Sequence, residues 1–199
     1  MTGLLSIVIA YLLGSIPFGF LLTRFATGKD VRAIGSGNIG ATNVMRAAGR
    51  EFGVATLVLD AAKGFLAVWL AGSLTQGNEG WMANAAIAVM AGHAFPVFLH
   101  FKGGKTVATF IGAFGWLTPV PLLATVVVFV VVVAVTHYIS AGSMLAAATF
   151  PLGVWIIAHP SLTVTLAALV AAVFIVYRHW ANFERIRAGT EPMFRWRMP

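Results

Sequence analysis

The chain has no cysteine. Disulfides, thiolate zinc sites, haem attachment through Cys and a cysteine nucleophile are thereby excluded, while the redox compartment stays open. Carboxylates are scarce as well, with six Asp and Glu in 199 residues, so neither a two-metal site nor a glycosidase-type carboxylate pair is credible. The five histidines are dispersed, no two at helical ligand spacing, and no metal site or cofactor is expected. Charged residues make up only 10% of the chain, against about 25% in a soluble domain. No internal repeat is evident, and no low-complexity tract beyond a valine-rich run at 122–135.

What remains is apolar. Hydrophobic residues reach 59% and the mean hydropathy is +0.90, which reads as an all-α polytopic membrane protein, one domain over 1–199. The net charge of +7 sits in short loops between apolar runs. Membrane orientation explains that placement, and nucleic acid is not expected as a partner.

Residues 4–23 form the first expected span, retained because no basic residue precedes it and no small-residue cleavage site follows. Residues 24–53 read as a long polar loop. Further spans are expected at 54–74, 81–99, 106–118, 122–135, 144–158 and 162–177, with turns at 76–80, 140–142 and 159–161. The fourth is only about 20 Å long at 1.5 Å per residue, short of a bilayer core of about 30 Å. It is expected to be short or partly re-entrant, buried by its neighbours. Seven spans with an external N-terminus and a cytoplasmic C-terminus put all 13 Lys and Arg on one side; without the fourth span the five arginines of the tail cross over, against the positive-inside bias.

The polar chemistry is concentrated in three stretches on that one side. Gly92-His93-Ala94-Phe95-Pro96 is followed by Lys102-Gly103-Gly104-Lys105-Thr106 at the start of the apolar run 107–117. Backbone N–H groups, a cation and a hydroxyl at a helix N-terminus suit a phosphate. A Walker A loop would need glycine where Leu99 stands, and a strand where a helix is expected, so a P-loop NTPase is excluded. The plainer alternative is a helix C-cap with two lysines marking the cytoplasmic face.

A second stretch, Ser36-Gly37-Asn38-Ile39-Gly40-Ala41-Thr42-Asn43, leads to Arg46. It offers hydroxyls, amides and a guanidinium able to grip phosphate bidentately, or else a loop of Asx turns. The third places Arg178, Asn182 and Arg185 at helical spacing, with His179 beside them and Gly189 and Glu191 beyond. Asp60 and Lys63, three apart inside an expected span, share one helical face. They point either to function or to a lysine snorkelling beside a neutralising aspartate.

Taken together, Ser36-Gly37-Asn38-x-Gly40-Ala41-Thr42-Asn43-x-x-Arg46, Gly92-His93-x-Phe95-Pro96 with Phe101-Lys102-Gly103-Gly104-Lys105-x-Val107-Ala108-Thr109, and Arg178-His179-x-x-Asn182-x-x-Arg185 with Gly189 and Glu191 resemble the signature of the bacterial PlsY-type acyl-phosphate:glycerol-3-phosphate acyltransferases. Ile186, where that family often has Leu, is a conservative difference. The resemblance implies acyl transfer from acyl phosphate to the 1-hydroxyl of glycerol 3-phosphate at the cytoplasmic face of the inner membrane, amid membrane lipid. A soluble enzyme making the acyl phosphate is an implied partner.

Within that reading Ser36, His93, His179 and Asn182 are candidate catalytic or orienting residues, the two histidines being candidate bases alongside the substrate phosphate itself. Asn38, Asn43, Arg46, Lys102, Gly103, Gly104, Lys105, Thr106, Thr109, Arg185 and Glu191 are candidates for substrate binding, with Asp60 and Lys63 supporting them. His100, His137 and His159 fall outside the motifs and read as structural. The competing readings are an organophosphate or anion transporter, which should carry polar groups near the midplane of related halves, and a structural membrane subunit, which would leave Asp60, Lys63 and the Gly-Gly-Lys-Thr run without a role.

Overall fold

The computed structural model describes residues 1–194, and every regular element in it is helical. The chain forms two compact units, Met1–Leu117 and the residues from Thr118 onward.

In the first unit the N-terminal apolar run is two helices, α1 (Thr2–Ser15) and α2 (Phe18–Thr27). Pro17 has no N–H to continue the helical ladder and forces the residue before it out of the α region; Ile16 is extended at φ −66°, ψ 114°. Gly28 closes α2 in the left-handed region at φ 71°, its N–H donating to the Arg24 carbonyl at 3.0 Å.

The stretch expected to be a polar loop, 24–53, is more ordered than that. It holds the end of α2, a single 3-10 turn at Val31–Ala33, helix α3 (Ala41–Ala48), and the first turn of α4 (Arg50–Leu74). The reason is a small apolar core beneath the polar surface: Val31, Ile39, Val44 and Leu99 are buried together, with Phe20 and Phe52 packed against them. Helix α5 (Glu79–Ala94) starts on Asn78, whose Oδ1 accepts from the Trp81 N–H at 3.1 Å. A 3-10 turn (Val97–Leu99) and a loop then lead to α6 (Val107–Leu117).

Helix α4 packs on α6 and α1, and α1 packs on α5. Small residues allow these crossings. A Cβ on Gly64 would run into the Thr109 carbonyl and one on Gly112 into the Ala61 carbonyl; Gly14 and Gly92 stand likewise against the backbone of Val89 and Tyr11. Inside a bilayer, where apolar side chains gain little from leaving lipid, such backbone contact is a principal source of helix association.

The second unit contains α7 (Pro119–Thr136), α8 (Ile139–Gly153), α9 (Leu162–Arg178) and α10 (Trp180–Arg187). The expected turn at 140–142 is instead the first turn of α8. The chain reverses at His137, left-handed at φ 59°, whose N–H donates to the Val133 carbonyl at 2.8 Å. With the reversal complete there, Ser140 and Gly142 are buried inside the unit. Pro151 lies within α8, and a π-helical turn (Val154–Ala158) follows it, as expected where a proline interrupts the ladder. α9 and α10 meet at a bend of 51° around His179.

Five helical segments are long and apolar enough to cross a membrane, or six if α9 and α10 count as one bent span, and α6 is a shorter apolar helix of 11 residues. This is a multi-pass helical membrane protein. Arg195 and Arg197, which entered the charge argument, lie outside the described residues.

Candidate active site

In the first unit, the Ser36–Arg46 stretch is shaped by one side chain. Asn43 is 2% exposed. Its Nδ2 donates to the carbonyls of Val31 (3.1 Å), Ile34 (2.9 Å) and Asn38 (2.9 Å), and its Oδ1 accepts from the Ser36 N–H at 3.0 Å. Both Nδ2 donors and one lone pair of Oδ1 are thus engaged within the protein, so Asn43 braces the loop from inside. Asn38 makes an Asx turn, Oδ1 accepting from the Gly40 N–H at 2.9 Å. Ser36 and Arg46 are exposed, Arg46 in the last turn of α3 and without an ion-pair partner among the described residues.

The Gly-Gly turn folds back onto the end of α5. Gly103 N–H donates to the Ala94 carbonyl at 3.1 Å and Gly104 N–H to the His93 carbonyl at 3.0 Å. These two amides, expected to face an anion, are spent inside the protein. The glycines are required because a Cβ on Gly103 would strike the His93 carbonyl and Pro96, and one on Gly104 the His93 ring. What the turn delivers is Lys105 and Thr106 at the start of α6. Thr106 is left-handed at φ 66° and 1% exposed, with a buried Oγ1 that has no hydrogen-bond partner among the described residues. A β-branched residue in that region is strained, and such strain concentrates at functional sites. Lys102 is exposed on the same turn. Thr109 is fully buried where α6 crosses α4, its carbonyl against Gly64, and its Oγ1, like that of Thr106, has no hydrogen-bond partner among the described residues.

Beneath this turn lies a buried charged cluster. Asp60 (2% exposed) and Lys63 (3%) pair at 2.8 Å, and His93 Nδ1 lies 3.5 Å from the same Asp60 oxygen, Oδ1. Lys63 Nζ also donates to the Ile16 carbonyl at 2.8 Å and stands 5.6 Å from the centre of the Phe18 ring. Lys63 thus does not snorkel to the surface. His93, 4% exposed, is enclosed between Asp60 and Gly104.

The second unit has its own polar cluster. Glu191 Oε1 accepts from Ser140 Oγ at 2.7 Å and from Asn182 Nδ2 at 2.6 Å, while Oε2 accepts from Arg185 Nε at 2.7 Å. Burial pushes the Glu191 carboxyl up, but the three donors and the arginine charge outweigh it, and the group lies below the usual carboxylate range. Glu191 is thus an organiser of Asn182 and Arg185, its carboxylate already engaged by three internal donors. His179, at the α9–α10 bend and 4% exposed, has Nδ1 at 2.8 Å from the Ile175 carbonyl. Because a carbonyl only accepts, that nitrogen carries the proton and Nε2 is the basic one.

Ser140 is the residue that sequence reasoning missed, since it read as part of a turn. The break at Ile16-Pro17 was also missed, although an X-Pro pair within an apolar run is the signal that marks it. Among the described residues no three His, Asp or Glu side chains are grouped to hold a metal ion.

These features define a helical membrane protein with a Gly-Gly-Lys-Thr turn at a helix start and an arginine-bearing helix, α3, whose Val44 packs with Leu99 just before that turn. The family model described as glycerol-3-phosphate acyltransferase matches residues 4–189. Relatives of that description include those of Geobacter sulfurreducens, 46% identical over 94% of this chain and 95% of that protein, and Trichlorobacter lovleyi, 48% identical over 97% and 98%. A crystal structure of PlsY, an integral membrane glycerol 3-phosphate acyltransferase, in its glycerol 3-phosphate form superposes with a TM-score of 0.92 at 36% identity, covering 98% of this chain and 96% of that one. The lysophosphatidic acid form of PlsY gives 0.88 at 35%. The chain belongs to the PlsY-type glycerol-3-phosphate acyltransferase family.

Proposed function

We propose that this protein transfers a fatty acyl group from acyl phosphate to the 1-hydroxyl of glycerol 3-phosphate, forming 1-acyl-glycerol 3-phosphate and inorganic phosphate. The observation that carries the reading is the start of α6. There Lys105 precedes a strained Thr106 whose buried hydroxyl has no hydrogen-bond partner among the described residues, at the positive end of a helix. Family membership supports the acceptor; the acyl phosphate donor is what the resemblance of the three motifs implies.

Acyl phosphate is a mixed anhydride with phosphate as a good leaving group, so the acceptor hydroxyl attacks the carbonyl carbon directly. The C–O bond to phosphate breaks, the proton ends on phosphate, and no acyl-enzyme is needed in a chain without cysteine. Lys105 and Thr106 hold the leaving phosphate and Arg46, with Lys102, the acceptor phosphate. Ser36 and Asn38 orient the glycerol. The substrate phosphate takes the proton. Loss of one such charge-assisted contact lowers kcat by about a hundredfold.

The same proposal extends to the membrane. Adding α6 and α9 to the five long spans makes seven passes, in one acyltransferase domain, since the family match runs unbroken from 4 to 189. The described basic residues then face the cytoplasm in the inner membrane, where a soluble enzyme making acyl phosphate delivers its product.

The test is phosphate release by the purified protein in detergent, given palmitoyl phosphate and glycerol 3-phosphate, beside Lys105→Ala and with palmitoyl-CoA as control donor. Release that needs both substrates, collapses in Lys105→Ala and fails with the thioester is expected. Absence of acyl-glycerol 3-phosphate would overturn the reading and direct attention to anion flux in liposomes.

A further inference from the structure

The Asp60, Lys63 and His93 cluster takes part in no step above, yet it joins the elements that build the phosphate turn. Burying two charges inside a span is costly unless each is paired and hydrogen-bonded. A pair serving only to neutralise itself needs no third partners, and here each member has one. Lys63 Nζ reaches the Ile16 carbonyl at 2.8 Å, at the break that Pro17 makes between α1 and α2. Asp60 Oδ1 lies 3.5 Å from His93 Nδ1. The other edge of the His93 ring is packed so closely on Gly104 that no Cβ fits between them, and the His93 carbonyl takes the Gly104 N–H at 3.0 Å.

Resting on the function proposed above, we propose that Asp60 is a positioning residue. It holds the His93 ring, the ring and carbonyl of His93 hold the Gly103-Gly104 turn, and that turn sets where Lys105 and Thr106 stand at the head of α6. Lys63 anchors the same carboxylate to the broken first span. The cluster therefore acts on the reaction through the place of the phosphate contacts, without touching substrate. Displacing a phosphate-holding group by about an ångström costs up to a hundredfold in rate, so the expected signature is kinetic rather than a loss of fold.

Asp60→Asn alone leaves a buried lysine without its counter-charge and is liable to misfold. The informative variant is Asp60→Asn/Lys63→Met, which removes both charges, compared with His93→Gln and with the triple variant. The expected result is a fall of about tenfold or more in kcat for the charge-free pair with an unfolding midpoint near wild type. His93→Gln should fall similarly, and the triple variant should be no worse than the poorer parent, as for residues acting through one route. Wild-type kinetics in Asp60→Asn/Lys63→Met, or losses that multiply in the triple variant, would overturn the proposal.

NMR of the protein with 13C-labelled histidine provides a readout independent of turnover. The His93 ring signal, assigned by its disappearance in His93→Gln, should shift in Asp60→Asn/Lys63→Met while the other histidine signals stay. An unmoved His93 signal overturns the positioning role even if the wild type is active. An inactive wild type with a shifted His93 signal instead overturns the acyltransferase reading and leaves the Asp60–His93 coupling standing.

Discussion

Arg185 Nε meets Glu191 Oε2 at 2.7 Å, and the other oxygen of that carboxylate takes Asn182 and Ser140. One side chain thus orders two residues of the third motif and ties them to the start of α8. Replacing Glu191 by Gln turns an acceptor oxygen into a donor facing donors, and should destabilise the protein by about 2 kcal/mol near neutral pH.

The pH dependence follows in sign. Because the folded-state pKa of Glu191 is held below its ordinary value, its stabilisation is complete above the ordinary carboxylate pKa and is lost as pH falls through the folded value. The gap in unfolding temperature between wild type and Glu191→Gln should therefore be widest near neutrality and close on acidification. A gap that is constant or grows in acid would contradict the assigned bonding.

Asn43 supports the first motif from within. Asn43→Ala strands the carbonyls of Val31, Ile34 and Asn38 and the Ser36 N–H that it now satisfies, at a cost of about 2 kcal/mol or more. Asn43→Asp is predicted to be no better, since a carboxylate puts oxygens toward three carbonyls. Both variants should show a lowered unfolding midpoint and new proteolytic cleavage between residues 31 and 40. Wild-type stability in Asn43→Ala would contradict this bracing role.

Arg46 poses a different question, because a cation in the last turn of α3 favours the helix dipole whatever its shape. Lysine would serve the dipole equally well but cannot grip a phosphate with two parallel N–H groups. Arg46→Lys should thus keep the unfolding temperature while raising KM for glycerol 3-phosphate about tenfold, a loss of about 1.4 kcal/mol. An unchanged KM would reduce Arg46 to a helix cap.

Much of the architecture could be read from residue order. The apolar runs located the apolar helices to within about five residues, the shortness of α6 was visible in its length, and the i, i+3 spacing placed Asp60 and Lys63 on one face, where they do pair. The bonds that backbone groups make could not be read. Nothing in Gly103-Gly104 announces that their N–H groups will close on α5, and an asparagine serving four backbone groups has the same letter as one awaiting a ligand. Helix α3 was hidden because its eight residues owe their order to Val44, which packs with Leu99 more than fifty positions away. Such contacts become visible only once the fold brings them together.

The crossing of α4 and α6 yields the last prediction. Gly112 lies so close to the Ala61 carbonyl and the Phe65 N–H of α4 that any Cβ would collide with backbone, which cannot yield as a flexible side chain can. Gly112→Val should push α6 away from α4, with an overpacking cost of about 1–3 kcal/mol, and carry the head of α6, Lys105 and Thr106, out of place. Loss of activity should therefore exceed what the fall in unfolding temperature accounts for. Gly153→Ala is the matched control, since a Cβ there meets nothing within 4 Å and the helical backbone accepts alanine. It should hold or slightly raise stability and leave the rate unchanged. If Gly112→Val behaved like Gly153→Ala, close backbone approach at this crossing would not be what fixes α6, and the placement of its phosphate contacts would have to rest on the Gly103-Gly104 turn alone.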